Sequence, residues 1–361
     1  MLENEATKQL GIKYPVIQAP MAGGVTTSKL VAEVSNCGGL GTIGAGYMSP
    51  GQIRNQINEI RQWTSCNFGI NLFVPTEFNV IEEEVEAANH LLQPIQEQLK
   101  VPRTNYREVP LFEETSEIFR KQVKVVIEEK VPICSFTFGI PPKEVIDTFK
   151  QHDVVLVGTA TSVEEALAIE ESGMDIVVVQ GSEAGGHRGA FIKADDSSPV
   201  GLMSLIPQVS DNVSIPVIGA GGIMDGRGLM ASLLLGAEGV QMGTAFLTCL
   251  ESGAHPLHKN AVLHAREDDT VLTKAFSGKW ARGIVNEFIT DMHRMKVSWP
   301  GFPVQNALTK GLRAASSRQN KKEFMSLWSG QSPRLAKAQT VKALMEDIVS
   351  SAEELMDRKI F

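Results

Sequence analysis

The chain has 361 residues, 43% of them hydrophobic and 21% charged, with a net charge of −8 that its seven histidines do not reverse. That length and composition suit one large α/β domain with an excursion, or two domains, around a well-packed core. The acidic balance disfavours a nucleic-acid partner and binding to an anionic membrane surface.

Apolar runs ending in small or polar residues recur along the chain. Val16 to Ala19 leads into Pro20-Met21-Ala22-Gly23-Gly24, and a helical pattern over Ser28 to Asn36 follows, with Ser28 as its expected N-cap. Leu40 to Ile43 leads into Gly44-Ala45-Gly46, ahead of a helix over Pro50 to Gln62 that starts on proline. Phe68 to Asn71 opens a long connection, Pro75 to Val131, with helical stretches around Val80 to Lys100 and Phe112 to Lys130. This reads as an extra helical pair beside the main domain, with Glu82-Glu83-Glu84 as a solvated face. Ile133 to Phe136 precedes a helix over Pro142 to Lys150, and Val154 to Val157 one over Ser162 to Ser172. Ser162 and Glu165 there have capping-box spacing. Ile176 to Val179 runs into a loop from Gln180 to Gly189. Pro216 to Ile218 runs into Gly219-Ala220-Gly221-Gly222 and a helix over Asp225 to Leu235 that ends at Gly236. Gly239 to Met242 is the eighth run and leads into Gly243-Thr244.

Strand–helix alternation predicts a parallel sheet, and eight strands predict closure into a (β/α)8 TIM barrel. The expected fold is therefore α/β, with a helical excursion after strand 3 and a smaller inserted segment after strand 8. Residues 1–250 and 307–361 are expected to form the barrel with its return helices, the last over Val341 to Met356. Residues 251–306 are expected as an excursion near the barrel mouth. No Gly-x-Gly-x-x-Gly follows the first strand, which disfavours a Rossmann dinucleotide site. No run approaches the roughly 20 apolar residues of a membrane span, and Met1 to Pro15 has no signal-peptide core. Cys37, Cys66, Cys134 and Cys249 lack metal-ligand spacing. Free buried thiols, no metal site and a cytoplasmic location are expected.

Ligands of parallel α/β folds bind at the carboxyl ends of the strands. The loop after the sixth run holds Gly181, Gly185, Gly186 and Gly189, and among them His187, the one side chain there that titrates near neutral pH when unperturbed. A tight turn with a surface histidine is the other reading. Gly219 to Ile223 and Gln241-Met242-Gly243-Thr244 follow the seventh and eighth strands, where barrels frequently hold a phosphate. Amides at a helix start can face the anion, and Thr244 adds a hydroxyl; a plain strand-to-helix turn also accounts for Gly221-Gly222. The apolar loop containing Met21 could lie under a flat ring. Asn71 and Gln180 offer amides suited to a pyrimidine edge, although a turn-forming Asn71 and a core Gln180 are equally open. Together these positions favour FMN over a sugar phosphate. Lys279 and Arg282 could face the phosphate or solvent, and Arg188 is expected to face outward.

Gln18-Ala19-Pro20-Met21-Ala22-Gly23, Phe68-Gly69-Ile70-Asn71, Gln180 to Gly189, Pro216 to Asp225 and Gln241 to Thr244 resemble the nitronate monooxygenase family, formerly called 2-nitropropane dioxygenase. Ala275-Phe276-Ser277-Gly278 and Trp328-Ser329-Gly330-Gln331-Ser332 extend the resemblance over nearly the whole chain. It implies an FMN-containing barrel that oxidises alkyl nitronates, such as propionate 3-nitronate, with O2 to a carbonyl compound and nitrite. Carried over by motif, Asn71, Gln180, Gly185, Gly222, Gln241, Met242, Gly243 and Thr244 would bind FMN. Met21 would add backbone contacts beside the ring, and His187 matches the family's active-site histidine. A nitronate and O2 are the implied partners, and a homo-oligomer is open. The Glu-Ala-Gly-Gly-His and Gly-Gly-Ile segments also resemble the flavin-dependent enoyl-ACP reductase of some bacteria, so an FMN-dependent NAD(P)H enoyl-ACP reductase is the alternative. The 75–131 connection and the Trp-Ser-Gly-Gln-Ser loop look more like the monooxygenases. Chemically, His187 could donate a hydrogen bond to a nitronate oxygen, or remove the α-proton of a neutral nitroalkane as a general base.

Overall fold

The computed structural model describes residues 2–193, 199–295 and 299–357. Its strands are β1 Val16–Gln18, β2 Gly41–Gly44, β3 Phe68–Phe73, β4 Ile133–Thr137, β5 Val155–Ala160, β6 Ile176–Gln180, β7 Gly186–His187, β8 Val217–Ala220, β9 Gly239–Met242, β10 Thr270–Thr273 and β11 Ala281–Ile284. Eight of them form a parallel sheet in the order β1-β9-β8-β6-β5-β4-β3-β2. A parallel bridge between Ile17 and Leu40 joins its ends. The Leu40 N–H donates to the Val16 carbonyl and the Gln18 N–H to the Leu40 carbonyl, each at 2.9 Å. The ring is the expected TIM barrel, and each of its strands lies on one of the eight apolar runs.

β6 shows why such a run forms a barrel strand. Ile176 and Val178 point inward and meet Ile17, Ile133, Val157 and Ile218, while Val177 and Val179 join the outer core under the helices. Both faces are buried, so both must be apolar. The short helix Glu5–Leu10 adds Ala6 and Leu10 to the inner cluster.

The helices follow the sequence pattern with local corrections. Thr27, not Ser28, caps Ser28–Asn36: its backbone is extended and its hydroxyl accepts the Leu30 N–H at 3.0 Å. Ser28 is already helical and donates to Glu59 at 2.6 Å. Ser162 caps Val163–Glu171 as expected. Glu165 does not return to the N-cap amide. Its buried carboxylate accepts from Thr161 and from the amides of Phe191 and Ile192. It ties that helix to the loop beyond His187.

Of the two helices between β3 and β4, Phe112–Glu128 buries Phe119, Val123 and Val126 in the main core and serves as the barrel helix. Only Glu82–Leu99 stands apart. Its Val85, Leu92 and Leu99 enter a second core with Phe276, Phe288, Ile289, Leu308 and Leu312. The excursion after β3 and the one after β9 thus share one apolar interior. Helix Val304–Arg318 spans the expected 306/307 division.

All four cysteines are free. Cys134 and Cys249 are buried as expected, but Cys37 is only half-buried and Cys66 is exposed. Among the described residues no helix is long and apolar enough to cross a membrane.

Candidate active site

A cavity of about 1480 Å³ opens at the carboxyl ends of the barrel strands. Met21, Asn71, Gln180, Gly185, His187, Gly222, Gln241, Gly243 and Thr244 all line it. Met242 does not. It is 1% exposed and packs in the main core, because successive strand residues point to opposite faces and Gln241 takes the cavity side. Its contribution there is a carbonyl that accepts the Ala19 N–H.

Two clamps hold His187. β7 pairs antiparallel with β11, placing His187 opposite Ala281 and Gly186 opposite Arg282. The Gln180 side chain bridges the loop from the end of β6. Its Nε2 donates to the His187 carbonyl at 2.9 Å, and its Oε1 accepts the Gly189 N–H at 2.8 Å. The Gln180 amide is thereby largely committed to shaping the loop. Arg188 is 1% exposed rather than outward-facing, and its Nη1 donates to the carbonyls of Gln180 and Gly181 at 3.0 and 2.7 Å. The imidazole lies among aromatic rings, with centroid distances of 5.5 Å to Trp328, 5.9 Å to Phe138 and 6.1 Å to Phe302. Its Nε2 lies 2.8 Å from Ser277 Oγ.

Other positions also carry structural duties. The buried Asn71 gives both amide hydrogens to Ser135 and Thr137, at 3.0 and 3.1 Å. The Met21 N–H donates to Thr26 Oγ1 and its carbonyl accepts from the same hydroxyl, both at 3.0 Å. These bonds tie the Met21 backbone to Thr26, and Met21 lines the cavity. A Cβ on Gly185 would come within 2.5 Å of the Ser329–Gly330 backbone, so this glycine serves a backbone crossing. Thr244 Oγ1 secures the same crossing by accepting the Gly330 N–H at 3.0 Å.

The loop after β8 behaves differently. Gly221 and Gly222 have φ of 131° and 69°, the left-handed region that favours glycine. The amides of Gly222 and Ile223 make no hydrogen bond among the described residues. The start of helix Gly226–Leu234, expected to face an anion, is instead capped by Asp225, which accepts from Arg227 and Gly228. The open donors on this side are those of the glycine turn.

The chain matches the nitronate monooxygenase family over residues 4–351. It belongs to that family. A probable nitronate monooxygenase from Staphylococcus aureus strain Newman is 50% identical over 359 residues, 99% of each chain. Among solved structures, a nitroalkane oxidase from Streptomyces ansochromogenes superposes with a TM-score of 0.89 at 35% identity, over 98% of this chain and 99% of that one. FabK from Thermotoga maritima gives 0.77 at 32%, over 99% and 98%. The protein is an oxidoreductase of the nitronate monooxygenase family.

Electrostatics set this family member's imidazoles apart from free histidine. Burial pushes His187 down to about 3, and the charges of Arg313 and Lys279 push the same way. Burial likewise lowers His258, whose Nε2 lies 2.8 Å from the Trp328 carbonyl, to about 4. Both are neutral at pH 7. Because their folded pKa values lie below the unfolded 6.5, the unfolded chain binds more protons between these values. The stability they support is complete above about pH 6.5 and is lost as pH falls toward 3–4. Thermal unfolding at pH 7 and pH 5 should give the lower melting temperature at pH 5, with a smaller difference in His258→Gln. Equal melting temperatures at the two pH values in the wild type would refute neutral burial.

Several lining residues escaped the sequence reading. Tyr47, Phe138, Phe302, Lys310, Arg313 and Trp328 all face the cavity. Phe138 stands out in the structure: it follows β4, precedes Gly139 and has φ 77°, a strained value for a bulky residue of the kind that clusters at functional sites. The cations carry no local signal. Lys279 lines the cavity, its Nζ 4.8 Å from the Phe138 ring centroid. Arg282 does not; it is buried and donates to the Ser182 carbonyl at 2.9 Å.

Proposed function

We propose that this enzyme binds FMN in the barrel mouth and oxidises anionic alkyl nitronates with O2 to a carbonyl compound and nitrite. The observation that carries this reading is one cavity with unpartnered amides on one side and a neutral, clamped imidazole beside cations on the other. The amides of Gly222 and Ile223 lack acceptors among the described residues, and buried or half-buried N–H groups seldom go unpaired. Near Gly243 a Cβ would meet only Ala19 Cβ, at 3.6 Å, so a ligand can approach that backbone. Gly222 and Gly243 would hold the phosphate end, and Asn71 and Gln241 the ring system. Bound there, FMN would supply an electron acceptor that also reacts with O2. Cys66 is an exposed free thiol, which suits a reducing cytoplasm.

The substrate's charge follows from the lining. Lys274, Lys279, Lys310 and Arg313 line the cavity, and among the described lining residues Glu108 is the only carboxylate. Arg313 gives Nη2 hydrogens to the Asn306 carbonyl and side chain at 2.9 and 2.7 Å, and its buried Nε has no partner among the described residues. A cationic mouth on an acidic chain attracts anions. Arg313→Ala should raise KM for propionate 3-nitronate roughly 10-fold or more, the worth of a charge-assisted hydrogen bond. It should change KM for propyl-2-nitronate, which has no carboxylate, much less. Equal shifts on both substrates would reject recognition of the tail by Arg313.

The function itself is tested by the visible spectrum of the purified protein and by nitrite release from propionate 3-nitronate under air. An oxidised-flavin spectrum with nitrite release is expected. NADH or NADPH oxidation that depends on an enoyl thioester, without nitrite release, would replace this reading with a reductase. A colourless folded protein would reject both.

A further inference from the structure

Ser277 lies between β10 and β11, is 2% exposed, and meets three groups through one oxygen. His187 Nε2 is 2.8 Å away. The Lys279 carbonyl lies at 3.1 Å, and the Lys279 amide N–H approaches the same hydroxyl with its nitrogen at 3.3 Å. A carbonyl only accepts and an amide N–H only donates. For all three contacts to be hydrogen bonds, the serine proton must go to the Lys279 oxygen while one oxygen lone pair takes the Lys279 N–H. A single lone pair remains for His187.

We infer that Ser277 holds His187 as its Nε2–H tautomer, so that the Nδ1 lone pair is the proton-accepting site of the imidazole in the cavity wall. Nδ1 makes no hydrogen bond among the described residues. Neither partner is free to shift. The His187 backbone is fixed by β11 and Gln180. The Ser277 and Gly278 amides donate to the Lys274 carbonyl at 3.2 and 2.7 Å, and the Thr309 hydroxyl donates to the Phe276 carbonyl. Gly278 has φ 80°, and a Cβ on it would meet the Pro300 carbonyl at 2.3 Å.

This assignment rests on the proposed nitronate chemistry for its functional meaning, though not for the tautomer itself. With a neutral nitroalkane, the Cα–H bond breaks as an Nδ1–H bond forms. The carbon's electron pair moves onto the nitro group, giving the nitronate, and the imidazolium remains hydrogen-bonded to Ser277 through Nε2–H. With a preformed nitronate, Nδ1 has no hydrogen to offer. Ser277 is thus a positioning residue for proton removal and is indifferent to nitronate binding.

The test uses holoprotein labelled with 15N at histidine. Long-range 1H–15N correlation spectra distinguish Nε2–H from Nδ1–H rings, and the His187 signal is the one missing from His187→Ala. Wild type should give the Nε2–H pattern. Ser277→Ala should give the averaged pattern of two exchanging tautomers, with a roughly 5- to 10-fold lower kcat on a nitroalkane, the size of one lost hydrogen bond, and KM within about 3-fold. Ser277→Thr, which keeps the hydroxyl, should restore both pattern and kcat. An Nδ1–H pattern in wild type, or an unchanged pattern in Ser277→Ala, overturns the inference. The spectra report the tautomer whether or not nitronates are turned over, so failure of the functional reading would be seen separately.

Discussion

His187→Ala should retain flavin and lose most turnover of neutral nitroalkanes. Gln180 reaches the His187 carbonyl, and β11 pairs with its backbone, so both clamps survive truncation of the side chain and the loop keeps its path. What disappears is the one imidazole held by Ser277 among Trp328, Phe138 and Phe302. Loss of a general base costs roughly 10²–10⁴-fold. A preformed nitronate needs no proton removed. With Nε2–H committed to Ser277, the loss on a nitronate should stay below the about 10-fold worth of a hydrogen bond to a charge. The sign of the pH dependence follows from the same burial. A base must be neutral to act, and His187, lowered to about 3, is neutral throughout pH 5–8, so it should impose no acid limb on the rate in that range. The same low basicity should make nitroalkanes slower substrates than their nitronates. Steady-state kinetics on a nitroalkane and its nitronate, with flavin content measured, decides this. Wild-type rates on both would remove His187 from the chemistry, and equal losses on both would remove the general-base role.

The second large effect is expected from Gly222→Asp, which should weaken FMN binding about 100-fold or more by placing a carboxylate against the phosphate. Two contributions need separating. At φ 69° any side chain is strained, and a Cβ at 222 would stand 3.2 Å from Glu183 Cβ. Gly222→Ala carries that strain without the charge and should bind FMN far better than the Asp variant. Titration of apoprotein with FMN, followed by flavin fluorescence, gives both constants. Equal weakening in the two variants would leave only backbone strain, and wild-type affinity in Gly222→Asp would place the phosphate elsewhere in the cavity.

Much of the barrel was legible because its signals are local. A β-branched run such as Ile176 to Val179 is apolar on both faces wherever it sits, and the caps at Ser162 and Asp225 act within three residues of themselves. The candidate site was legible to the extent that it stands on strand ends. Nine of its expected residues reach one cavity because parallel strands place their carboxyl ends on the same rim. Met242 failed the same reasoning: in a four-residue strand, the choice between cavity and core is a matter of register, which neighbouring strands set.

What this chain determined by itself was the barrel, the glycine turn at 221–222 and the loop that carries His187, since periodicity, β-branching and left-handed glycines express energies between near neighbours. Only the tertiary structure decided which residues complete the site. Helix Glu82–Leu99 finds its apolar partners on Val304–Arg318, more than 200 residues away, and that second core holds the segment from which Arg313 and Lys310 enter the cavity. Ser277 reaches His187 across 90 residues, and Ala281–Ile284 becomes a strand with Gly186–His187 beside it. These contacts are set by chain closure and packing over long sequence separations, where no local pattern distinguishes a lining cation from a solvated one.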